Sequence, residues 1–310
     1  MVNLGSGAGE IRRYADADHW LRETVAFCAE RDLDLNGRYA LAWLARCHFE
    51  QGRWSEAGTA AARVAAVRSA GAPSRRVALT VLGRLRARRG DPDADRALEE
   101  AWELAVDTGE LQRLWPVAAG RAEHAWLTGR RAALPALVAE PFRLACRIGH
   151  PWAAGELGFW LWRAGALPDG PPAGLARPYA LQIAGDWRAA AAAWQRLGCP
   201  YEQAVALADG DTEADLLAAL DLLERLGARP ASPPASWRSS GCSAPGCATP
   251  TSPAASTSPR RPSTTTSRRS SPSSACARGA RRRGSRPHGG SAARPKMGSP
   301  RPQDRDRPPM

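Results

Sequence analysis

The chain contains no long apolar run and no extended stretch in which β-branched residues alternate with polar ones. A membrane-spanning helix needs about 20 consecutive apolar residues, so no transmembrane segment is predicted. Residues 1–13 lack the apolar core of a secretory signal peptide, and a reducing cytoplasm is the expected location. Because strands are disfavoured by the missing alternation, helices are the elements that the sequence predicts.

Residue sets that carry catalysis or hold a cofactor are also missing. No Ser/His/Asp or Cys/His set, metal-binding helix or dinucleotide fingerprint occurs at a recognisable spacing. Gly5, Gly7 and Gly9 faintly resemble a phosphate-binding loop, but no strand is predicted before them and no Lys-Ser or Lys-Thr pair follows them. We therefore predict a flexible start at residues 1–14, and a protein that is not an enzyme and has no catalytic residue, cofactor or metal.

Cysteine and histidine are too scattered to build a site. The seven cysteines stand at irregular spacings in a chain of 310 residues, which is not a disulfide framework. Cys242 and Cys247 have only His288 downstream, so they do not form a zinc site. Four other cysteines are expected to be buried thiols: Cys28, Cys47, Cys146 and Cys199. Three histidines without a ligand-spaced partner are expected to be ordinary surface or interface residues: His48, His124 and His150.

The formal charge of +12 is unevenly distributed. Residues 231–310 hold fifteen Lys plus Arg against two Asp, a net charge of +13, which leaves 28 basic and 29 acidic residues in 1–230. The first 230 residues are therefore nearly neutral and give no electrostatic reason to expect nucleic acid or an anionic membrane as a partner.

Helix signals recur through those 230 residues. One helix is predicted after the capping candidates Asp93 and Asp95 and before Gly109, with an apolar face of Ala97, Leu98, Ala101, Trp102 and Ala105. A late helix is predicted after Asp211 or Thr212 and ends at Gly227 and Pro230. Its apolar stripe is predicted to be Leu216, Leu220, Leu223 and Leu226.

The helices are predicted to form repeated hairpins. One hairpin has large residues on its first helix, Gly52 at the turn, and small residues on its second helix at Ala57, Ala61 and Val64. This order is typical of tetratricopeptide repeats. Glycine recurs after a comparable apolar helix at Gly52, Gly90, Gly129 and Gly165, in steps of 38, 39 and 36 residues. Because the consensus repeat has about 34 residues, these repeats are degenerate.

Tryptophan is abundant, and eleven of the twelve lie in the first 230 residues. An aromatic groove for a peptide is one interpretation. Core packing is the preferred one, because an alanine-rich array needs large side chains between thin helices. The residues concerned include Trp43, Trp126, Trp160, Trp162 and Trp194.

Three stretches near the end of the helical part carry a family resemblance: residues 178–187 (PYALQIAGDW), 198–202 (GCPYE) and 223–228 (LERLGA). They resemble the last helical repeats of the large ATP-binding LuxR-type bacterial transcription regulators. The resemblance covers about residues 35–230. It implies an ATPase module before the repeats and a helix-turn-helix domain after them. The phosphate loop with its lysine that such a module needs does not occur in this chain.

Residues 227–310 contain no Leu, Ile, Val, Phe or Tyr, so this tail cannot bury enough apolar surface to fold by itself. When its codons are read one base upstream of the frame used, the tail encodes a different amino-acid sequence. With G or C at free third bases, residues 231–238 decode to GVTARELE, 247–258 to LRNADIAGRLHL, and 259–279 to SPKTVDHHVSAVLAKLGVRSR. These strings resemble the DNA-binding domain of LuxR-type regulators. The tail is therefore interpreted as an out-of-frame remnant of that domain.

The sequence thus predicts an all-α protein: an open α-solenoid of degenerate tetratricopeptide-like hairpins at residues 15–230 and a disordered basic tail at 231–310. The favoured function is a remnant of a LuxR-type regulator. It would supply a helical region for a protein partner or regulatory ligand, with no ATPase module, no specific DNA binding and no membrane partner. The alternative is a self-standing scaffold whose tail binds nucleic acid or anionic surfaces nonspecifically.

Overall fold

In the computed structural model, residues 1–167 and 172–229 are described, and this part of the chain is all-α. It contains thirteen α-helices, a short 3₁₀ turn at Arg131–Ala133 and no β-strand. The helices are α1 (Val2–Glu10), α2 (Tyr14–Ala29), α3 (Asp34–Glu50), α4 (Trp54–Ala65), α5 (Ala72–Arg89), α6 (Ala94–Val106), α7 (Leu111–Leu127), α8 (Leu134–Ile148), α9 (Pro151–Ala164), α10 (Arg177–Ile183), α11 (Trp187–Leu197), α12 (Pro200–Leu207) and α13 (Glu213–Leu226). The predicted all-α class is confirmed here, whereas the prediction of a disordered tail lies outside the described residues.

Consecutive helices pack against each other along the chain. Each helix contacts the next, and α3, α5, α7 and α9 also contact one another in turn. Apart from the twelve residues between α9 and α10, the connections have two to six residues, a length typical of antiparallel neighbours. None of the helices in the described ranges is both long and apolar enough to cross a bilayer.

Glycine ends the first helix of each predicted hairpin. Gly52, Gly90, Gly129 and Gly165 all have positive φ, between 71° and 76°, and each stands between two helices that pack together. Gly52 is also constrained in space, since a Cβ there would lie 2.6 Å from Pro200 Cγ. The predicted turn positions are therefore confirmed.

The helices form two layers with different burial. In α3, residues 42–50 are all buried, and α5, α7 and α9 have comparable runs at 76–81, 115–120 and 153–161. By contrast, α4 buries one stripe at three- and four-residue spacing: Trp54, Ala57, Ala61 and Val64. The odd-numbered helices α3 to α9 are therefore an inner layer, covered by neighbours on more than one side, and α4, α6 and α8 are an outer layer.

Helices early in the chain meet residues near its last two helices. Tyr14 Oη lies 3.3 Å from Cys199 Sγ, and the rings of Trp54 and Tyr201 are 5.9 Å apart. The backbone N–H of Arg229 donates to the carbonyl of Arg88 at 2.9 Å. The expectation of an open array is not met at these contacts.

The amino terminus differs from the flexible segment predicted for residues 1–14. Helix α1 packs on α2 and α3. Gly5 and Gly9 are close-approach positions, because a Cβ would lie 2.7 Å from Leu21 Cγ at the first and 2.9 Å from Cys47 Sγ at the second. At these positions glycine allows the helices to pack closely. The sequence spacing of the three glycines is compatible with a packed helix and with a mobile loop, so it could not distinguish between them.

The two helices predicted in most detail give different outcomes. In α6, Ala97, Leu98, Ala101 and Ala105 are buried and Trp102 is partly buried, as predicted. Asp93 stands at the N-cap position, but its carboxylate makes no capping hydrogen bond.

In α13, Thr212 accepts a hydrogen bond from the N–H of Asp215, so the Thr212 cap is confirmed. The predicted stripe is partly wrong, since Leu220 is 49% exposed and Ala219 and Leu223 are the buried residues. Contacts of α13 with Tyr201 and Gly52, which lie on earlier elements, determine which face of the helix is buried.

Ala57 tests the close contact of α4 with its neighbours. It is fully buried, so Ala57→Leu is expected to overpack the contact and lower the free energy of unfolding by about 1–3 kcal/mol. Ala62→Leu, on the exposed face of the same helix, is the control and should change stability by less than about 0.5 kcal/mol. Urea denaturation measures both, and equal effects would contradict this packing.

Gly9 and Gly7 test the packing of α1. Gly9→Ala should destabilise the protein by about 1–3 kcal/mol through the clash with Cys47. No heavy atom lies within 4 Å of a Cβ added at Gly7, so Gly7→Ala should stabilise by up to about 1 kcal/mol through helix propensity. Thermal unfolding of the two variants checks this difference in sign, and a mobile terminus would show neither effect.

Candidate functional site

Buried ion pairs join the inner helices, and sequence reasoning did not predict them. Arg84 and Arg88 lie one turn apart on α5, and both reach Glu123 on α7. Arg84 Nε donates to Glu123 Oε2 at 2.6 Å, and Arg88 Nε donates to Glu123 Oε1 at 2.7 Å. Each oxygen of one carboxylate thus accepts from a different guanidinium group, an arrangement that stabilises a buried charge.

The network continues to two more helices. Arg84 Nη2 lies 2.9 Å from Glu156 Oε1 on α9, and Arg88 Nη2 donates to Glu202 Oε1 on α12 at 2.8 Å. Glu156 also accepts a hydrogen bond from Trp115 Nε1 at 2.7 Å. Four helices that are distant in sequence are therefore held together by polar contacts in the interior.

Electrostatics keep Glu123 ionised despite its burial. Burial disfavours the carboxylate, but the adjacent Arg84 and Arg88 outweigh that effect and lower the pKa of Glu123 below its ordinary value. The same interactions raise the pKa of Arg84 and of Arg88. The shared carboxylate of Glu123 and the two guanidinium groups therefore stabilise one another's charged forms.

A second ion cluster lies between α2 and α3. Arg46 Nε donates to Glu50 Oε1 at 3.0 Å, and Arg12 Nη1 lies 2.9 Å from the same oxygen. Tyr14 Oη donates to Glu50 Oε2 at 3.0 Å. Burial would raise the pKa of Glu50, but Arg12 and Arg46 lower it. Since Tyr14 also contacts Cys199, this cluster anchors the first helices to the last ones.

The arginine network forms one wall of a cavity of about 70 Å³. Another ion pair, Arg163 with Asp209 at 2.6 Å, lies at one side of it. The other walls are aromatic: Trp126, Phe159, Trp160, Tyr179 and Tyr201. Small-molecule sites also combine apolar walls with a few polar groups, but they usually enclose roughly 300–1,000 Å³, far more than this cavity does.

The tryptophans support the core-packing interpretation. Trp43, Trp160 and Trp194 are buried, and Trp126 and Trp162 are partly buried against the same core. Trp126 and Trp160 also line the cavity. Their role in packing and their place in the cavity wall are therefore compatible.

The histidines are more buried than predicted. His48 is only 9% exposed, neither of its ring nitrogens has a hydrogen-bond partner, and burial together with Arg53 lowers its pKa. His150 Nδ1 accepts from the N–H of Ala153 and so caps α9, while its Nε2 lies 3.0 Å from Glu10 Oε1. His124 is partly buried, and burial and Arg130 lower its pKa.

The thiol predictions are confirmed at three of four positions. Cys28, Cys47 and Cys199 are buried, and Cys146 is exposed. Cys146 lies on the outward side of α8, whose buried face is formed by Leu134, Val138, Phe142 and Ala145. In the described ranges, no group of three or more His, Cys, Asp or Glu side chains is arranged to hold a metal ion.

Comparisons with protein-family models, with curated proteins and with solved structures find no match. The resemblance to LuxR-type regulators therefore depends on the residues that carry it. Residues 178–187 span α10 and the start of α11, residues 198–202 lead into α12, and residues 223–228 end α13. The second and third stretches contribute Tyr201, Glu202 and Leu223, which contact residues of α3, α4 and α5.

Glu123→Gln tests the network. It would remove the buried carboxylate that Arg84 and Arg88 share, although Glu156 and Glu202 remain as their other partners. The free energy of unfolding is expected to fall by about 3–5 kcal/mol. Glu140→Gln is the control, because Glu140 pairs with Arg143 on the exposed surface and should contribute less than about 1 kcal/mol. A loss at Glu123 no larger than at Glu140 would contradict the network.

The Glu123→Gln variant should also change how the stability of the protein depends on pH. Because the pKa of Glu123 is lowered on folding, its contribution is fully present above the unfolded pKa of about 4.3 and is lost as pH falls through the lower, folded pKa. Stability measured from pH 7 down to pH 3 should therefore decline less steeply in Glu123→Gln than in the unaltered protein. Identical pH profiles would show that the pKa of Glu123 does not change on folding.

Proposed function

We propose that the helical part is a tetratricopeptide-like repeat region that receives a protein partner or regulatory ligand. The observation that carries this proposal is the series of left-handed glycines at 52, 90, 129 and 165. Each joins two packed helices, and each hairpin packs on the next. A repeat of this kind cannot bury its apolar face alone and depends on its neighbours.

The proposed parent is a regulator of the LuxR type that works in the cytoplasm. Support comes from the three matching stretches in α10 to α13 and from the decoded strings at 231–279. The printed tail has Ser and Thr in place of the aliphatic residues that would hold a recognition helix. Specific readout needs side chains placed in the major groove from a rigid scaffold. We therefore expect this chain to lack specific DNA binding and catalytic activity.

The alternative is a scaffold whose tail binds nucleic acid or anionic surfaces nonspecifically. The segregation of charge favours it, with a net charge of +13 in residues 231–310. The arginines of this tail would make their contacts to phosphates. They should weaken as salt rises, because counterion release then contributes less.

The nucleotide sequence separates these two functions. Read one base upstream, the codons of residues 231–238 are expected to encode G-V-T-A-R-E-L-E. Any other string would remove the LuxR-type proposal and leave the scaffold.

A functional test restores the frame by inserting one base before the codon of Ala231. The restored chain should select one DNA sequence from a random pool of duplexes at physiological salt, because a folded reader makes base-edge contacts. The unaltered chain, taken through the same selection, should show no preference. Competition binding against a scrambled duplex measures both, and a tenfold preference by the unaltered chain would refute the proposal.

A deletion of residues 231–310 completes the comparison. It should abolish any weak binding at low salt and leave the helical signal of the described part intact. Binding that survives the deletion would place the nucleic-acid site on the nearly neutral helical part, contrary to both functions.

A further inference from the structure

One buried guanidinium group in the described ranges has no carboxylate partner. Five arginines are buried there, and four of them form the ion pairs described above: Arg12, Arg46, Arg84 and Arg88. The fifth is Arg76 on α5, which is 5% exposed. Its Nη1 donates to the backbone carbonyl of Arg113 at 3.4 Å, and none of the carboxylates in this part of the chain forms an ion pair with it.

The charge of Arg76 is left over after its neighbours are paired. Burial, together with Arg46 and Arg113, lowers the pKa of Arg76 to about 10, so the group is still charged at neutral pH. The acidic residue whose field reaches Arg76 is Glu110, but its carboxylate lies 2.8 Å from Arg113 Nε. A buried charge without a partner is unfavourable, and one negative charge beside Arg76 would compensate it.

Arg76 lies at the floor of an open groove of about 390 Å³. This volume falls within the roughly 300–1,000 Å³ that small-molecule sites enclose. The buried residues of its floor are Trp43, Ala70, Ser74 and Arg76. The exposed residues of its rim are Asn3, Leu35, Asn36, Pro73 and Gln112. None of the described residues that line this groove is acidic, so an anion would meet no repelling carboxylate on its wall.

Three helices begin at the groove. Residues of their first turns line it: Leu35 and Asn36 on α3, Pro73 and Ser74 on α5, and Gln112 and Arg113 on α7. At none of these three described helix starts does a side chain accept a capping hydrogen bond. The unpaired N–H groups of a first turn and the helix dipole both attract negative charge. The field of the three helices therefore adds to that of Arg76.

The groove also determines what kind of anion fits. A guanidinium group binds carboxylate and phosphate through paired hydrogen bonds. Because only the charge of Arg76 is uncompensated, a carboxylate with one negative charge matches it better than a phosphate monoester with about two. Apolar surface beside Arg76 comes from Leu35, Trp43 and Pro73, which favours a ligand with an apolar body.

We propose that this groove binds a small monocarboxylate with an apolar body. The carboxylate would accept hydrogen bonds from Arg76, and the body would lie against Leu35, Trp43 and Pro73. The proposal rests on the proposed function only for the regulatory role of this ligand. Binding is tested by titration and the LuxR-type parent by the codons of the tail, so either can fail without the other.

The test compares four probes with one ring system: 2-naphthoate, 2-naphthamide, 2-naphthamidine and 2-naphthyl phosphate. Calorimetric titration of the full chain at neutral pH should show one saturable site for 2-naphthoate. The neutral amide and the cationic amidine should bind roughly tenfold more weakly or worse, because neither offers a charged acceptor to Arg76. The phosphate should also bind more weakly than the carboxylate. No binding of 2-naphthoate at millimolar concentration, or equal binding of any other probe, overturns the proposal.

Arg76→Met removes the charge and keeps a long side chain. The affinity for 2-naphthoate should fall roughly tenfold or more. The unfolding temperature of the unliganded protein should stay the same or rise, because the variant removes a buried charge that had no carboxylate partner. Arg63→Met is the control, since Arg63 lies on the exposed face of α4, and it should change neither quantity.

Asn36→Trp tests the location without altering the floor of the groove. Asn36 is exposed at the rim, so a large ring there should block entry and abolish binding of 2-naphthoate while the unfolding temperature is kept. This variant decides the matter if Arg76→Met folds poorly. Binding that survives Asn36→Trp, or an equal loss of affinity in Arg63→Met and Arg76→Met, would refute the assignment.

Discussion

The interior of the helical array depends on the carboxylate of Glu123, which is held by Arg84 and Arg88 between α5 and α7. These arginines also bind Glu156 and Glu202, so one buried charge controls the position of four helices. Ion pairs of this kind contribute little net stability compared with apolar packing, but they are strongly destabilising when broken. Each charged group also requires a defined partner. The ion pairs therefore favour one arrangement of the helices, which apolar packing alone would specify less strictly.

Apolar packing supplies the rest of the framework. Alanine dominates the contacts between layers, as at Ala57 and Ala61, and allows the helices to approach closely. Gly9 and Gly5 allow closer contacts still at the amino-terminal end. The gaps between such thin helices are filled by large side chains, including Trp115 and Trp194, which are almost completely buried. Small and large residues thus have complementary roles in one core.

Helix positions and turns could be predicted from sequence because their signals are local. Apolar residues three and four positions apart identify α6, and glycine after an apolar helix identifies the turns at 52 and 90. The stripe of α13 was misjudged at Leu220 because several leucines compete for one face, and contact with other helices decides among them. The charged network left only a weak signal, arginines one turn apart within an apolar stretch, and its partners could not be identified.

The sequence by itself determined the all-α class, the hairpin turns and the outer faces, because these depend on residues a few positions apart. Only the tertiary structure decided which charges pair, since Arg88 meets Glu123 and Glu202 at separations of 35 and 114 residues. It also decided that helices early in the chain meet helices late in the chain, and that Gly9 is a packing position whereas Gly7 is not. Each of these outcomes depends on contacts between residues far apart in the sequence, which no local pattern encodes.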